Sequence, residues 1–117
     1  MISIVIPCFN EELIINDFID ELKNNIDQIK DEFEIIFVDN KSEDSTLDII
    51  NKKKQIFKNC KIICLSNYFG KESAILAGFD ACNGDASIVM DPDLEDPPSL
   101  IAELIKNWND GSDVVYA

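Results

Sequence analysis

The sequence predicts an α/β fold: a mainly parallel sheet covered by helices on both faces. Two observations carry this. Short β-branched apolar runs alternate with longer amphipathic stretches from one end of the chain to the other. Polar and acidic loops follow the apolar runs, as expected where strands of a parallel sheet hand over to crossover helices.

Taken in order, Ile2-Ser3-Ile4-Val5-Ile6 is a buried strand closed by Pro7. Asn10-Glu11-Glu12 offers a polar cap and two acids suited to a positive helix N-terminus. Ile15, Phe18, Ile19, Leu22, Ile26 and Ile29 recur at helical spacing on one face. The second unit repeats this order, with a strand over 33–38, a polar loop over 39–44 and a helix from Ser45 to about Gln55. A third strand is expected over 60–65, a third, Ala-rich helix over 71–82 and a fourth strand over 86–90. After the loop 91–98, Ser99 is expected to cap a helix carrying Leu100, Ile101, Leu104, Ile105 and Trp108. Asp110-Gly111 should stop that helix, and Val114-Val115-Tyr116 should open a fifth strand. The length of 117 residues suits one domain. A chain that stops within an apolar strand reads as a domain truncated at its C-terminus.

Composition narrows the chemistry. The chain is 46% hydrophobic and 28% charged, as in ordinary globular domains. Against 23 acids stand 10 lysines and no arginine, for a net charge of -13. That balance excludes a nucleic-acid partner and favours divalent cations among carboxylates. With no histidine, any bound metal should be a hard cation held by oxygen. Cys8, Cys60, Cys64 and Cys82 have no zinc-site spacing and are expected to be buried, reduced structural thiols of a cytosolic protein. The first apolar run is too short for a signal peptide or a membrane span.

In a parallel α/β sheet, ligands sit at the carboxyl ends of the strands where the strand order reverses. The loops after strands one, two and four should therefore converge. The loop after strand four is the most telling: Asp91 and Asp93, one residue apart, can share a cation that bridges a diphosphate. An Asp-x-Asp pair alone also fits a merely acidic loop.

Four segments together resemble the family 2 glycosyltransferases. Ile4-Val5-Ile6-Pro7-Cys8-Phe9-Asn10-Glu11-Glu12 is similar to their opening strand and loop, and Phe37-Val38-Asp39-Asn40-Lys41-Ser42-Glu43-Asp44-Ser45-Thr46 to their second-strand motif. Phe69-Gly70-Lys71-Glu72-Ser73-Ala74 and Asp91-Pro92-Asp93-Leu94-Glu95-Asp96-Pro97-Pro98 resemble the branch that glycosylates polyprenyl phosphates, the dolichol-phosphate mannose synthases included. The resemblance runs the length of the chain. It implies a Rossmann-like nucleotide-diphospho-sugar transferase (GT-A) half-domain, with residues 1–117 as the nucleotide-sugar-binding part of a catalytic domain.

The resemblance also implies roles. Pro7, Phe9 and Glu11 would wall the nucleoside, Asp39 would accept a hydrogen bond from the base, and Lys71 would reach the diphosphate. Asp91 would touch ribose or sugar, and Asp93, with Asp91, would bind Mg²⁺ or Mn²⁺. Other readings stay open: strand termination for Pro7, core packing for Phe9, a helix-dipole acid for Glu11, an Asx turn for Asp39 and a solvated lysine for Lys71. Three departures stand out: Asn67-Tyr68 replaces the branch's usual Arg-Asn, Asn40 replaces a second Asp, and Pro92 replaces Ala.

The expected activity is metal-dependent, inverting transfer of a hexose from a UDP- or GDP-sugar to a polyprenyl phosphate, in cell-envelope biosynthesis. Such an acceptor is already anionic and needs little help from a base, which suits a chain without histidine. Transfer to a saccharide hydroxyl, and a non-catalytic nucleotide-binding fragment, are the alternatives. A dinucleotide-binding oxidoreductase is excluded because no GxGxxG follows strand one. A catalytic base and any membrane contact, at the cytoplasmic face, are expected only beyond Ala117. The chain by itself is expected to transfer no sugar and to self-associate through its open strand edge.

Overall fold

The computed structural model describes residues 1–93, 98–109 and 115–116. Its order is β1 (Ile2–Cys8), α1 (Ile15–Ile26), β2 (Phe33–Asp39), α2 (Thr46–Lys53), β3 (Cys60–Cys64), α3 (Lys71–Asp80), β4 (Ala86–Val89), α4 (Ile101–Asn109) and β5 (Val115–Tyr116). Short 3-10 turns extend α2 over Lys54–Ile56 and precede α4 over Pro98–Leu100. The sheet order is β3-β2-β1-β4-β5, and every pairing is parallel. Chain order reverses beside β1, so the crevice between the β1 and β4 ends is the switch point.

Alternation along β1 builds two cores. Ile2, Ile4, Ile6 and Cys8 face the helices α1, α2 and α4, which bury Phe18, Leu22, Ile50, Ile101 and Leu104 against them. Val5 faces the other way, with Ile36, Val38 and Val89, and meets α3 through Ala74. Both faces are covered, as the apolar runs require.

The structure refines the expected boundaries. β1 does not stop at Pro7 but pairs through Cys8, with Pro7 beside Val38 and Cys8 beside Asp39. Proline is tolerated because its nitrogen points to the β4 side, where pairing has ended: the last bond there runs from the Met90 N–H to the Val5 carbonyl, 2.9 Å. Asn10 does not cap α1. It turns the chain at φ 52°, and α1 begins at Ile15 after two amides close on the Glu11 carbonyl. Ser99 sits within the 3-10 turn rather than at a cap. Only Cys8 of the four cysteines is fully buried, and Cys64 is exposed, because β3 is an edge strand. All four are free thiols. The stop expected at Asp110-Gly111, the start of the fifth strand at Val114 and the acids Glu95 and Asp96 lie outside the described residues.

At the foot of the sheet Glu34 is completely buried on the α3 face. It accepts hydrogen bonds from Ser3 Oγ (2.7 Å), the Asn83 backbone N–H (2.9 Å) and Asn83 Nδ2 (3.1 Å), and pairs with Lys61 Nζ at 2.7 Å. Burial alone would raise its pKa. The bonds from Lys61, Asn83 and Ser3 outweigh burial and hold it down at about 2.

Candidate functional site

Because the strands all run the same way, the loops after β1, β2 and β4 emerge at one end of the sheet. Pro7, Phe9, Glu11, Lys71 and Asp91 line one small open cleft there, of about 90 Å³. A larger hollow of about 510 Å³ lies at the opposite end, against Ile26, Phe33 and Phe57, and holds none of the motif residues. The motif residues gather at the smaller cleft and not at the larger hollow.

The first two loops hold each other in place. The Asn10 N–H donates to Ser42 Oγ (3.0 Å), and the Glu43 N–H returns a bond to Asn10 Oδ1 (2.8 Å). The Glu11 N–H donates to Thr46 Oγ1 (2.7 Å), and the Glu12 N–H to Asp44 Oδ2 (3.2 Å). The Ser45 N–H closes the set on Glu12 Oε2 (3.0 Å). Burial would raise the Asp44 carboxyl, but bonds from the Thr46 hydroxyl and amide and from the Glu12 amide carry it below the usual range. The polar residues of the second motif thus serve largely as a bracket for the first loop. Thr46 is fully buried, and its hydroxyl both accepts from Glu11 and donates to Asp44. Thr46→Val keeps the shape and leaves the Glu11 N–H unpaired. It is expected to cost about 1–3 kcal/mol by chemical denaturation; a change within experimental scatter would show that the bracket is idle.

Asp39 is buried at the end of β2, and both of its oxygens are engaged by Ser42, through the hydroxyl (2.6 Å) and the amide (3.1 Å). The Asx-type turn is therefore formed, and Asp39 is absent from the cleft wall. Each carboxylate oxygen still has a second lone pair.

Three residues line the cleft that the motif reading had not placed there. Cys8 is buried beneath it, its thiol pushed up by burial and then by the charges of Glu11, Asp39 and Asp91. Tyr68 stands against Phe9, ring centroids 4.6 Å apart and tilted by 47°, and both rings are partly exposed. Asn40, buried at the end of β2, is the third. An exposed aromatic just after a strand, in a loop leading to a helix, was the available sign for Tyr68.

Electrostatically the cleft is crowded with negative charge. Burial raises the Glu11 carboxyl, and Asp93, Asp91 and Asp44 raise it further, against a smaller opposing effect of Lys71. Lys71, in the first turn of α3, forms an ion pair with Asp91. Asp93, two residues beyond Asp91, is exposed and is not part of the cleft wall, though its charge acts on Glu11. Among the described residues no three metal-capable side chains are gathered closely enough to hold an ion by themselves. Also among the described residues, no helix is long and apolar enough to cross a membrane.

The same architecture occurs in a solved glycosyltransferase. Glucosyl-3-phosphoglycerate synthase of Mycobacterium tuberculosis, in complex with Mn²⁺, UDP and phosphoglyceric acid, superposes with a TM-score of 0.74 at 26% identity, over 92% of this chain and 38% of that one. The fold is the Rossmann-like GT-A fold. In sequence, the chain is 44% identical over 115 residues to the uncharacterized glycosyltransferase YkcC of Bacillus subtilis, covering 98% of this chain and 36% of that protein. It is 36% identical over 115 residues to the undecaprenyl-phosphate 4-deoxy-4-formamido-L-arabinose transferase of Proteus mirabilis, covering 97% of this chain and 35% of that protein. The chain thus spans little more than a third of these curated relatives. The family described as Glycosyl transferase family 2 matches residues 3–117, and the chain belongs to that family.

Proposed function

We propose that this chain binds the nucleoside diphosphate of a UDP- or GDP-sugar at the β1–β4 switch point. The enzyme built on it would pass a hexose, with inversion, to a polyprenyl phosphate at the cytoplasmic face of a membrane. The observation that carries the reading is the convergence of the β1, β3–α3 and β4 loops on one cleft, with an aromatic face, a lysine and the carboxylates of Glu11 and Asp91. The polyprenyl acceptor is supported by the relative named for undecaprenyl phosphate. The nucleotide and cation are supported by the neighbour that holds UDP and Mn²⁺.

On this reading Phe9 offers its ring face to the base, and Pro7 and Glu11 wall the nucleoside. Asp39 accepts from a base N–H through a remaining lone pair. Lys71 exchanges Asp91 for a diphosphate oxygen, which frees Asp91 for the ribose or the sugar. Asp93 and Asp91 fit a hard divalent cation: they are oxygen donors, and two carboxylates leave coordination positions for phosphate oxygens. Mg²⁺ or Mn²⁺ held there would supply positive charge beside the departing diphosphate. Residues that meet the acceptor belong, on this proposal, to a part of the enzyme outside these 117 residues, so the chain alone would not turn over.

Calorimetric titration with UDP and with GDP, each with and without Mn²⁺, tests the assignment. Binding should weaken when the metal is withheld. Asp93→Ala should cost about 1.5 kcal/mol, the low end for a charged contact because Asp93 is exposed. Unchanged affinity in that variant would refute the metal role.

A further inference from the structure

We propose that Asn40 is a positioning residue for the sugar-nucleotide cleft: it latches the loop between β3 and α3, and so sets Tyr68 and Lys71 against the first loop. Its side chain is buried at the end of β2. The amide works in both directions at once. Oδ1 accepts from the Phe69 N–H at 3.1 Å, and Nδ2 donates to the Gly70 carbonyl at 3.0 Å. The partners leave no ambiguity in its orientation, since an N–H can only donate and a carbonyl can only accept. The Asn40 backbone is held as well, its N–H donating to the Cys8 carbonyl of β1 at 2.8 Å. One residue thus joins the β1 end, the β2 end and the loop.

The loop needs such a tie. Ser66 to Phe69 are exposed, and Gly70 takes φ 89°, a left-handed conformation that other residues adopt poorly. Tyr68 and Lys71 flank the two latched residues and reach the cleft, at Phe9 and Asp91 respectively. Only a side chain with one donor and one acceptor in a fixed geometry satisfies both backbone groups. A carboxylate accepts from Phe69 equally well, yet it turns a negative oxygen toward the Gly70 carbonyl. This explains physically why an amide rather than an acid stands at this position.

The test is Asn40→Asp, with Asn40→Ala beside it. At neutral pH both should speed hydrogen exchange at the Phe69 amide and its loop, while the β1 and β2 amides stay protected. UDP affinity in the presence of Mn²⁺ should fall about tenfold, the equivalent of one lost hydrogen bond of about 1.4 kcal/mol. Burial and the facing Gly70 carbonyl should raise the substituted carboxyl above the ordinary value of about 3.9, so lowering the pH to about 4 protonates it and gives it an O–H donor. The ratio of variant to parent affinity should then return toward one for Asn40→Asp and stay low for Asn40→Ala. Taking the ratio cancels the titration of Asp39, Glu11, Asp91 and the nucleotide itself, which parent and variant share. The affinity arm rests on the nucleotide reading of the cleft, whereas the exchange arm does not. If the parent binds no UDP, the nucleotide reading fails and exchange alone decides the latch. Unchanged exchange in the loop, or an affinity ratio for Asn40→Asp that ignores pH, overturns the proposal. Should Asn40→Asp not fold at neutral pH, Asn40→Ala carries the same exchange expectation.

Discussion

Replacing Glu34 with alanine is expected to cost about 3 kcal/mol, a large part of the stability of a domain this size. The loss exceeds that of the ion pair alone. Removing the carboxylate leaves the Ser3 hydroxyl, the Asn83 amide groups and Lys61 facing a gap in the sheet's covered side. Lys61 is 40% exposed and Asn83 is exposed as well, so both can turn to water, and the buried Ser3 hydroxyl and the vacated space account for most of the cost. The same group predicts an acid limb. Its folded pKa of about 2 lies below the ordinary 4.5, so the unfolded chain binds the proton more readily between those values. The contribution is complete above pH 4.5 and disappears as the pH falls toward 2. It amounts to about 3 kcal/mol, because each tenfold difference in proton affinity between the folded and unfolded chain is worth about 1.4 kcal/mol. Urea unfolding of the parent from pH 7 downward should show this fall, and Glu34→Gln, which cannot titrate, should flatten it. Identical acid limbs in parent and Glu34→Gln would refute the assignment.

The second large effect is expected at Gly78. A Cβ placed there would lie 2.3 Å from Val5 Cγ1 and 3.2 Å from Val38 Cγ2. Both valines are fully buried in strands paired on either side, and their branched side chains have little rotamer freedom. Neither can yield, so α3 itself must lift from the sheet. Gly78→Ala should cost about 1–3 kcal/mol and Gly78→Val more, against the gain of roughly 1 kcal/mol that alanine otherwise brings to a helix interior. Because α3 begins with Lys71, lifting it also draws that lysine from Asp91, and nucleotide affinity should fall together with stability. Thermal melting and UDP titration on the two variants check both parts. A melting point at or above the parent's for Gly78→Val would show that the helix has room the geometry denies it.

Much of this was legible in the residues. The alternation of apolar runs and amphipathic stretches specified the strands, the helices and their covered faces, because burial on both sides favours apolar residues along a central strand, with polar residues such as Ser3 and Glu34 tolerated only where they pair. The motifs at Pro7–Glu11, Asp39, Lys71 and Asp91–Asp93 marked the ends of the right elements, since in a parallel sheet only loops at one end can share a ligand. The roles of individual side chains were less legible. Asp39 is held by Ser42 and is set back from the cleft wall, and Thr46, Asp44 and Ser42 brace the first loop from more than thirty residues away. Tyr68 meets Phe9 only because β3 lies two strands from β1 and its loop folds back over the end of β2. Hydrogen bonds at such separations depend on strand order and register, which local periodicity does not encode. The sequence by itself determined the class of fold, the family and the end of the sheet where the motif residues gather. Only the tertiary structure decided which polar groups are spent on holding the loops and which remain to meet a ligand.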